Sequence, residues 1–222
     1  MRFHLRAVVF DMDGLILDTE PLALRAWAEC AAALGVAFDE ALGLRMVGRN
    51  FADCGELLRD TYAAPYPVDA VLERWHATYD AIVARDGVAL KAGVGEILDW
   101  LDEARLPRAV ATSTRRERAR AKLAHAAVLE RFDTVVGGDD VARGKPAPDI
   151  YLEAARRLGV APGHCLVLED SEPGVRAGLA AGMAVVMVPD LVAPPAELAA
   201  AGVRIAPSLL EARAHLASLR EA

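Results

Sequence analysis

The segment AVVFDMDGLILDTEP, residues 7–21, places two carboxylates straight after an apolar run. Ala7, Val8, Val9 and Phe10 have the length and β-branched content of a strand covered on both faces. Asp11 and Asp13 then stand at the end of a buried element. An unpaired carboxylate in such a place is costly, so the pair needs a counter-charge, a hydrogen-bond network or a chemical task. A few residues on, Asp18-Thr19-Glu20-Pro21 combines a cap residue with an early proline, which marks a helix start.

Outward from this segment the chain changes rhythm twice. From residue 17 to 87 the stretches PLALRAWAECAAALG, FADCGELLRDTYA and VDAVLERWHATYDAIVARDG all carry helical periodicity, and no strand is expected. From residue 94 helices and strands alternate. Helices are expected over 94–105, 115–126, 147–159 and 171–182, and strands over 108–111, 132–138, 164–170 and 184–190. A short strand near 203–206 and a terminal helix complete the pattern. Such alternation, with near-continuous apolar strands, predicts a parallel α/β sheet. The expected organisation is an α/β core of residues 1–16 and 88–222, with an all-helical unit of residues 17–87 inserted after the first strand. Gly174, Gly178 and Gly182 lie four apart and predict a helix packed tightly on the sheet.

Composition narrows the function classes. Of 222 residues, 54% are hydrophobic and 5% aromatic, enough for a large aliphatic core. A net charge of −7 argues against general nucleic-acid binding, which needs a basic face. Cys30, Cys54 and Cys165 are scattered without ligand spacing and read as free thiols of a reducing compartment. The longest apolar run, AGLAAGMAVVMV (177–188), falls short of the roughly 18 residues a membrane span needs. MRFHLRAVVFD reaches acids before any leader-like segment. The expectation is a cytoplasmic protein, monomeric or weakly dimeric, without nucleic-acid or membrane partners.

In a parallel sheet of this kind, ligands bind beyond the carboxyl ends of the strands. Four such ends carry reactive groups: Asp11 and Asp13; Thr112, Ser113 and Thr114; Lys145 in the loop after the third; Glu169, Asp170 and Ser171. Converging carboxylates repel unless a cation sits among them, and oxygen-only donors favour Mg²⁺. A lysine and a hydroxyl facing the same point suit phosphate oxygens. A carboxylate beside a neutralised phosphate can act as a nucleophile.

DMDGLILDTE, VATST, GKPAPDIY and LEDSEPG, in this order, resemble the haloacid dehalogenase superfamily. The likeness is to its phosphatase and β-phosphoglucomutase-like branch, and it covers nearly the whole chain. It implies a Rossmann-like core with a helical cap and the following roles. Asp11 attacks phosphorus. Asp13 protonates the leaving oxygen and then activates water. Thr112, Ser113 and Lys145 bind the phosphate, and Lys145 also pairs with Asp11. Asp11, Asp170 and the Asp13 carbonyl hold Mg²⁺, with Glu169 in support. Asp13 must be neutral in the first step and charged in the second, so its pKa is expected near working pH, raised by burial and neighbouring carboxylates.

The expected activity is hydrolysis of a small phosphorylated metabolite, such as a sugar phosphate. The alternatives are a β-phosphoglucomutase-like transfer and a non-catalytic phosphate sensor. The mutases resembled carry a histidine in the first cap helix, where this chain has Ala23 and Leu24. Asp13 separates the chain from true dehalogenases, which lack that second aspartate. DxDG is not a calcium loop: its glycine falls fourth rather than sixth, and Leu22 stands where a closing Glu belongs. Nor is Lys145 a Walker lysine, because Pro146 follows it and Asp139 replaces the first glycine. Taken singly, each group has a plainer role, such as a helix cap at Asp170 or Ser171. Their occurrence at successive strand ends favours a shared site. Arg49 is expected in a cap loop facing the cleft as a substrate contact, with a solvated turn as its plain alternative. Hinges are expected near 15–17 and 87–92. Glu20 either lines the cleft or complements the helix dipole. Trp27, Trp75 and Tyr79 read as core, and no role is assigned to His76.

Overall fold

The computed structural model describes residues 3–46 and 51–221. Strand β1 (Ala7–Phe10) is central in a fully parallel sheet of order β3-β2-β1-β4-β5-β6 among the described residues. Its neighbours are β2 (Arg108–Ala111) and β4 (Cys165–Glu169), with Val9 level with Ala109 and Val167. Beyond them lie β3 (Thr134–Val136), β5 (Ala184–Met187) and the short β6 (Arg204–Ile205).

Successive side chains of a strand point to opposite faces, and β1 shows both results. Val8 and Phe10 join one core with α5 (Val94–Ala104), α6 (Arg116–His125) and α10 (Leu209–Glu221). Ala7 and Val9 join another with α7 (Asp149–Leu158) and α8 (Glu172–Ala180). A strand with both faces covered needs the unbroken apolar run seen in the sequence. Ser171 caps α8 through its Oγ, which accepts from the Gly174 amide at 3.3 Å. Gly178 permits the close approach of α8 to the sheet: a Cβ there would lie 2.8 Å from Val185 Cγ2 and 3.3 Å from Val167 Cγ2. The helix α9 (Ala196–Ala200), where the sequence reading places no element, is a short segment that buries Leu198.

Between β1 and α5 the chain forms α1 (Glu20–Leu34), α2 (Glu40–Met46), α3 (Phe51–Thr61) and α4 (Val68–Asp86), an inserted all-helical cap. Its apolar faces make their own core around Trp27, Cys30, Leu58, Val71 and Leu72. The two connections between cap and core run side by side. Leu17 bridges Asp13 and Leu90, the Lys91 amide donates to Ile16 O at 2.9 Å, and the Asp18 amide donates to Ala89 O at 2.9 Å. Among the described residues, no helix is long and apolar enough to cross a membrane.

Gly178→Val inserts atoms where α8 already touches two strands. Overpacking of this kind costs about 1–3 kcal/mol. The urea midpoint should fall with an unchanged denaturant slope; a midpoint at or above that of the unsubstituted chain would contradict the packing described.

Candidate active site

The strand ends gather around one cleft. Asp11 follows β1 directly and is anchored by its amide to Leu168 O at 2.9 Å. The chain then turns tightly, with the amides of Ile16 and Leu17 donating to Met12 O, while Met12 is wholly buried. Asp11 and Asp13 therefore share the cleft. Gly14 takes φ +84°, a conformation that favours glycine, and a Cβ there would collide with Asp170 Oδ2. A cavity of about 950 Å³ is lined by Asp11, Asp13, Thr112, Ser113, Lys145 and Asp170. It extends into the cap past Ala23, Leu24, Trp75 and His76. Arg49 lies outside the described residues.

Lys145 is the pivot of the deeper half. Its ammonium pairs with Asp11 Oδ1 and lies 2.6 Å from Glu169 Oε1. Glu169 has no exposed surface and uses both oxygens. Oε1 also accepts from Tyr151 OH at 2.8 Å. Oε2 accepts from the Ser171 amide at 2.8 Å and from Ser171 Oγ at 2.9 Å. Gly174 makes room, since a Cβ there would overlap the Glu169 carboxylate. Burial opposes the charge on Glu169, but Lys145 and these hydrogen bonds hold its pKa below the ordinary value. Burial pushes Asp11 up to about 8 against the pull of Lys145, with Glu169 and Asp13 adding to the rise. Burial and then the charges of Glu169, Asp11 and Glu20 raise Asp170 well above its ordinary value.

These shifts describe a site short of positive charge. Asp11, Glu169 and Asp170 each offer an oxygen within 4.8 Å of the others, and all three are buried. Lys145 alone cannot neutralise them. Because Glu169 is saturated with hydrogen bonds, the carboxylates with capacity left are Asp11 and Asp170. An all-oxygen donor set with surplus buried negative charge fits a small hard dication such as Mg²⁺.

Asp13 corrects an expectation. Its pKa is lowered rather than raised. Burial is the largest single influence and would raise it, but the charge and hydrogen bond of Lys122, with Nζ 2.9 Å from Asp13 Oδ1, together with the Thr114 and Thr112 hydroxyls outweigh it. Thr114 Oγ1 donates to Oδ2 at 2.8 Å and Thr112 Oγ1 to the same oxygen at 3.3 Å. Lys122 comes from α6 and lies 4.8 Å from the centre of the Tyr79 ring on cap helix α4. Sequence reasoning missed Lys122 because it sits in RRERARAKLAH, a run so charged that no single cation stands out. Tyr151 was missed as an ordinary aromatic on an apolar helix face. Glu20 does line the cavity; burial, then Asp13 and Asp190, raise its pKa to about 7. Trp27, Trp75 and Tyr79 are stacked in the cap, and all three also face the cavity.

Asp11, Glu20 and Asp170 have raised native pKa values, so each binds its proton more tightly folded than unfolded. Their contribution to stability is full below the unfolded carboxylate range and is lost as pH rises through the native values, about 7 for Glu20 and about 8 for Asp11. With divalent ions removed, the melting temperature should fall between about pH 6 and pH 8.5, and added Mg²⁺ should raise it most at the upper end. A Mg²⁺ effect equally large at both ends would contradict this charge balance.

The chain matches the haloacid dehalogenase-like hydrolase family over residues 5–182. It is 34% identical over 179 residues to the phosphorylated carbohydrates phosphatase of Thermotoga maritima, covering 81% of this chain and 82% of that one. It is 33% identical over 185 residues to the bifunctional riboflavin kinase/FMN phosphatase of Arabidopsis thaliana, covering 83% of this chain but 48% of that one, about half of that relative's length. The structure of CbbY from Rhodobacter sphaeroides in complex with phosphate superposes with a TM-score of 0.76 at 31% identity, covering 93% of this chain and 96% of that one. From the order of its strand-end groups, its fold and these similarities, the chain belongs to the haloacid dehalogenase-like hydrolases.

Proposed function

We propose that the protein is a Mg²⁺-dependent phosphatase that hydrolyses a small phosphomonoester, a sugar phosphate or similar metabolite, through an aspartyl-phosphate at Asp11. The observation that carries this reading is the convergence of Asp11, Asp13, Lys145 and Asp170 on one cavity, with Lys145 held against Asp11. Asp11, Asp170 and the Asp13 carbonyl would hold the cation. When bound, it offsets the charge of phosphate and carboxylates, so that one anion can approach another.

In the first step an oxygen of Asp11 bonds to phosphorus as the ester P–O bond breaks. Asp13 gives its proton to the departing oxygen. Lys122 and the threonine hydroxyls favour ionised Asp13, and the charge of the incoming phosphate opposes Lys122 and favours the protonated acid. In the second step Asp13 takes a proton from water as that water bonds to phosphorus, and Asp11 is released as carboxylate. Lys145 orients Asp11 and meets a phosphate oxygen, while Thr112 and Ser113 offer hydroxyl groups. The cap, residues 17–87, moves about the paired connections and closes the cleft to bulk water. Ala23 and Leu24 line the cavity where a mutase would need its histidine, which favours hydrolysis over internal transfer.

A panel of phosphorylated metabolites, assayed with and without chelator, tests the proposal. Turnover should vanish with chelator and return with Mg²⁺. Asp11→Asn should lower kcat by about 10⁴-fold or more, the scale expected when a covalent nucleophile is lost. Turnover by Asp11→Asn close to that of the unsubstituted enzyme would remove the proposal.

A further inference from the structure

Asp190 lies beyond β5, outside the strand-end groups assigned above. Its side chain is 7% exposed. Lys91, in the second connection to the cap, donates to Asp190 Oδ1 and also reaches Asp18 of the first connection at 3.4 Å. Asp190 Oδ2 is buried without a hydrogen-bond partner. Leaving such an oxygen unsatisfied is costly, so it calls for a donor. Gly14 shows where that oxygen points. A Cβ on Gly14 would lie 3.5 Å from Asp190 Oδ2 and would collide with Asp170 Oδ2. The two carboxylates thus come close on the side of Gly14 where a Cβ would stand, and Asp170 is one of the proposed cation ligands. A second cavity of about 190 Å³ has Asp170, Ser171 and Asp190 among its lining residues.

We propose that Asp190 is a positioning residue of the cation site, its free Oδ2 accepting a hydrogen bond from a water in the cation's shell while Lys91 fixes its other oxygen. The role rests on the proposed cation at Asp11 and Asp170. Mg²⁺ keeps several of its waters when protein carboxylates bind it, and those waters need acceptors. Outer partners of this kind typically contribute 10- to 100-fold to metal affinity. Lys91 serves two places at once: its ammonium holds Asp190, and its amide pairs with Ile16 across the connections between core and cap.

Mn²⁺ titration followed by the electron paramagnetic resonance of the free ion reads cation affinity without turnover. Asp190→Ala should weaken Mn²⁺ binding by about 10- to 100-fold. Asp190→Asn turns its one acceptor oxygen to Lys91 and leaves an N–H donor in place of Oδ2, so it too should weaken binding by about 10-fold or more; it is the second variant should the alanine chain fail to fold. Asp170→Asn should weaken it more than either. Unchanged Mn²⁺ affinity in Asp190→Ala, or in Asp190→Asn where the alanine chain does not fold, with the expected loss in Asp170→Asn, would overturn the role of Asp190 and leave the cation site standing. An unsubstituted protein that binds no Mn²⁺ would overturn the cation site and this role together.

Discussion

One lysine shared by two buried carboxylates is the constraint on which the rest of this structure turns. Lys145 lies between Asp11 and Glu169, and both of its partners leave the sheet at adjacent parallel strands. Burial makes each charge expensive, and their mutual attraction offsets that cost only while all three stay in place. The network of Tyr151, Ser171 and Gly174 around Glu169 is the means of keeping them there. Glu169 is consumed by this task, which leaves Asp11 and Asp170 as carboxylates with capacity to spare.

The architecture explains why these groups can meet at all. Parallel strands deliver their carboxyl ends to the same edge, so residues far apart in the chain arrive together without long loops. β1 sits between β2 and β4, which brings Asp11 beside both Thr112 and Asp170. The covered faces of β1 hold the backbone rigid, and rigid support is what a group of closely spaced charges requires.

The cap adds the opposite wall. Tyr79, at the end of its aromatic stack, lies over Lys122, so the ion pair with Asp13 sits where core and cap meet. Arg118, one turn before Lys122 on the same helix, pairs with Asp80 of α4 and reinforces that seam. The charge state of Asp13 is therefore tied to a surface that the cap covers.

The sequence by itself determined the order of helices and strands, the parallel sheet, the inserted helical unit and the strand-end groups. These rest on local rules: apolar runs, helical periodicity, caps and glycines act over a few residues. It also contained the Ser171 cap and the close packing of Gly178, because both follow from spacing within one helix. Only the tertiary structure decided how charge is shared. Lys122 meets Asp13 across a separation of 109 residues, and nothing in its own helix distinguishes it from its basic neighbours. That pairing, with the Thr114 and Thr112 hydroxyls, reversed the expected direction of the Asp13 shift, since together they outweigh burial. Asp190 and Tyr151 stayed silent for the same reason: a side chain's electrostatic role is set by which charges lie within a few ångströms, and that distance exists only once the chain has folded.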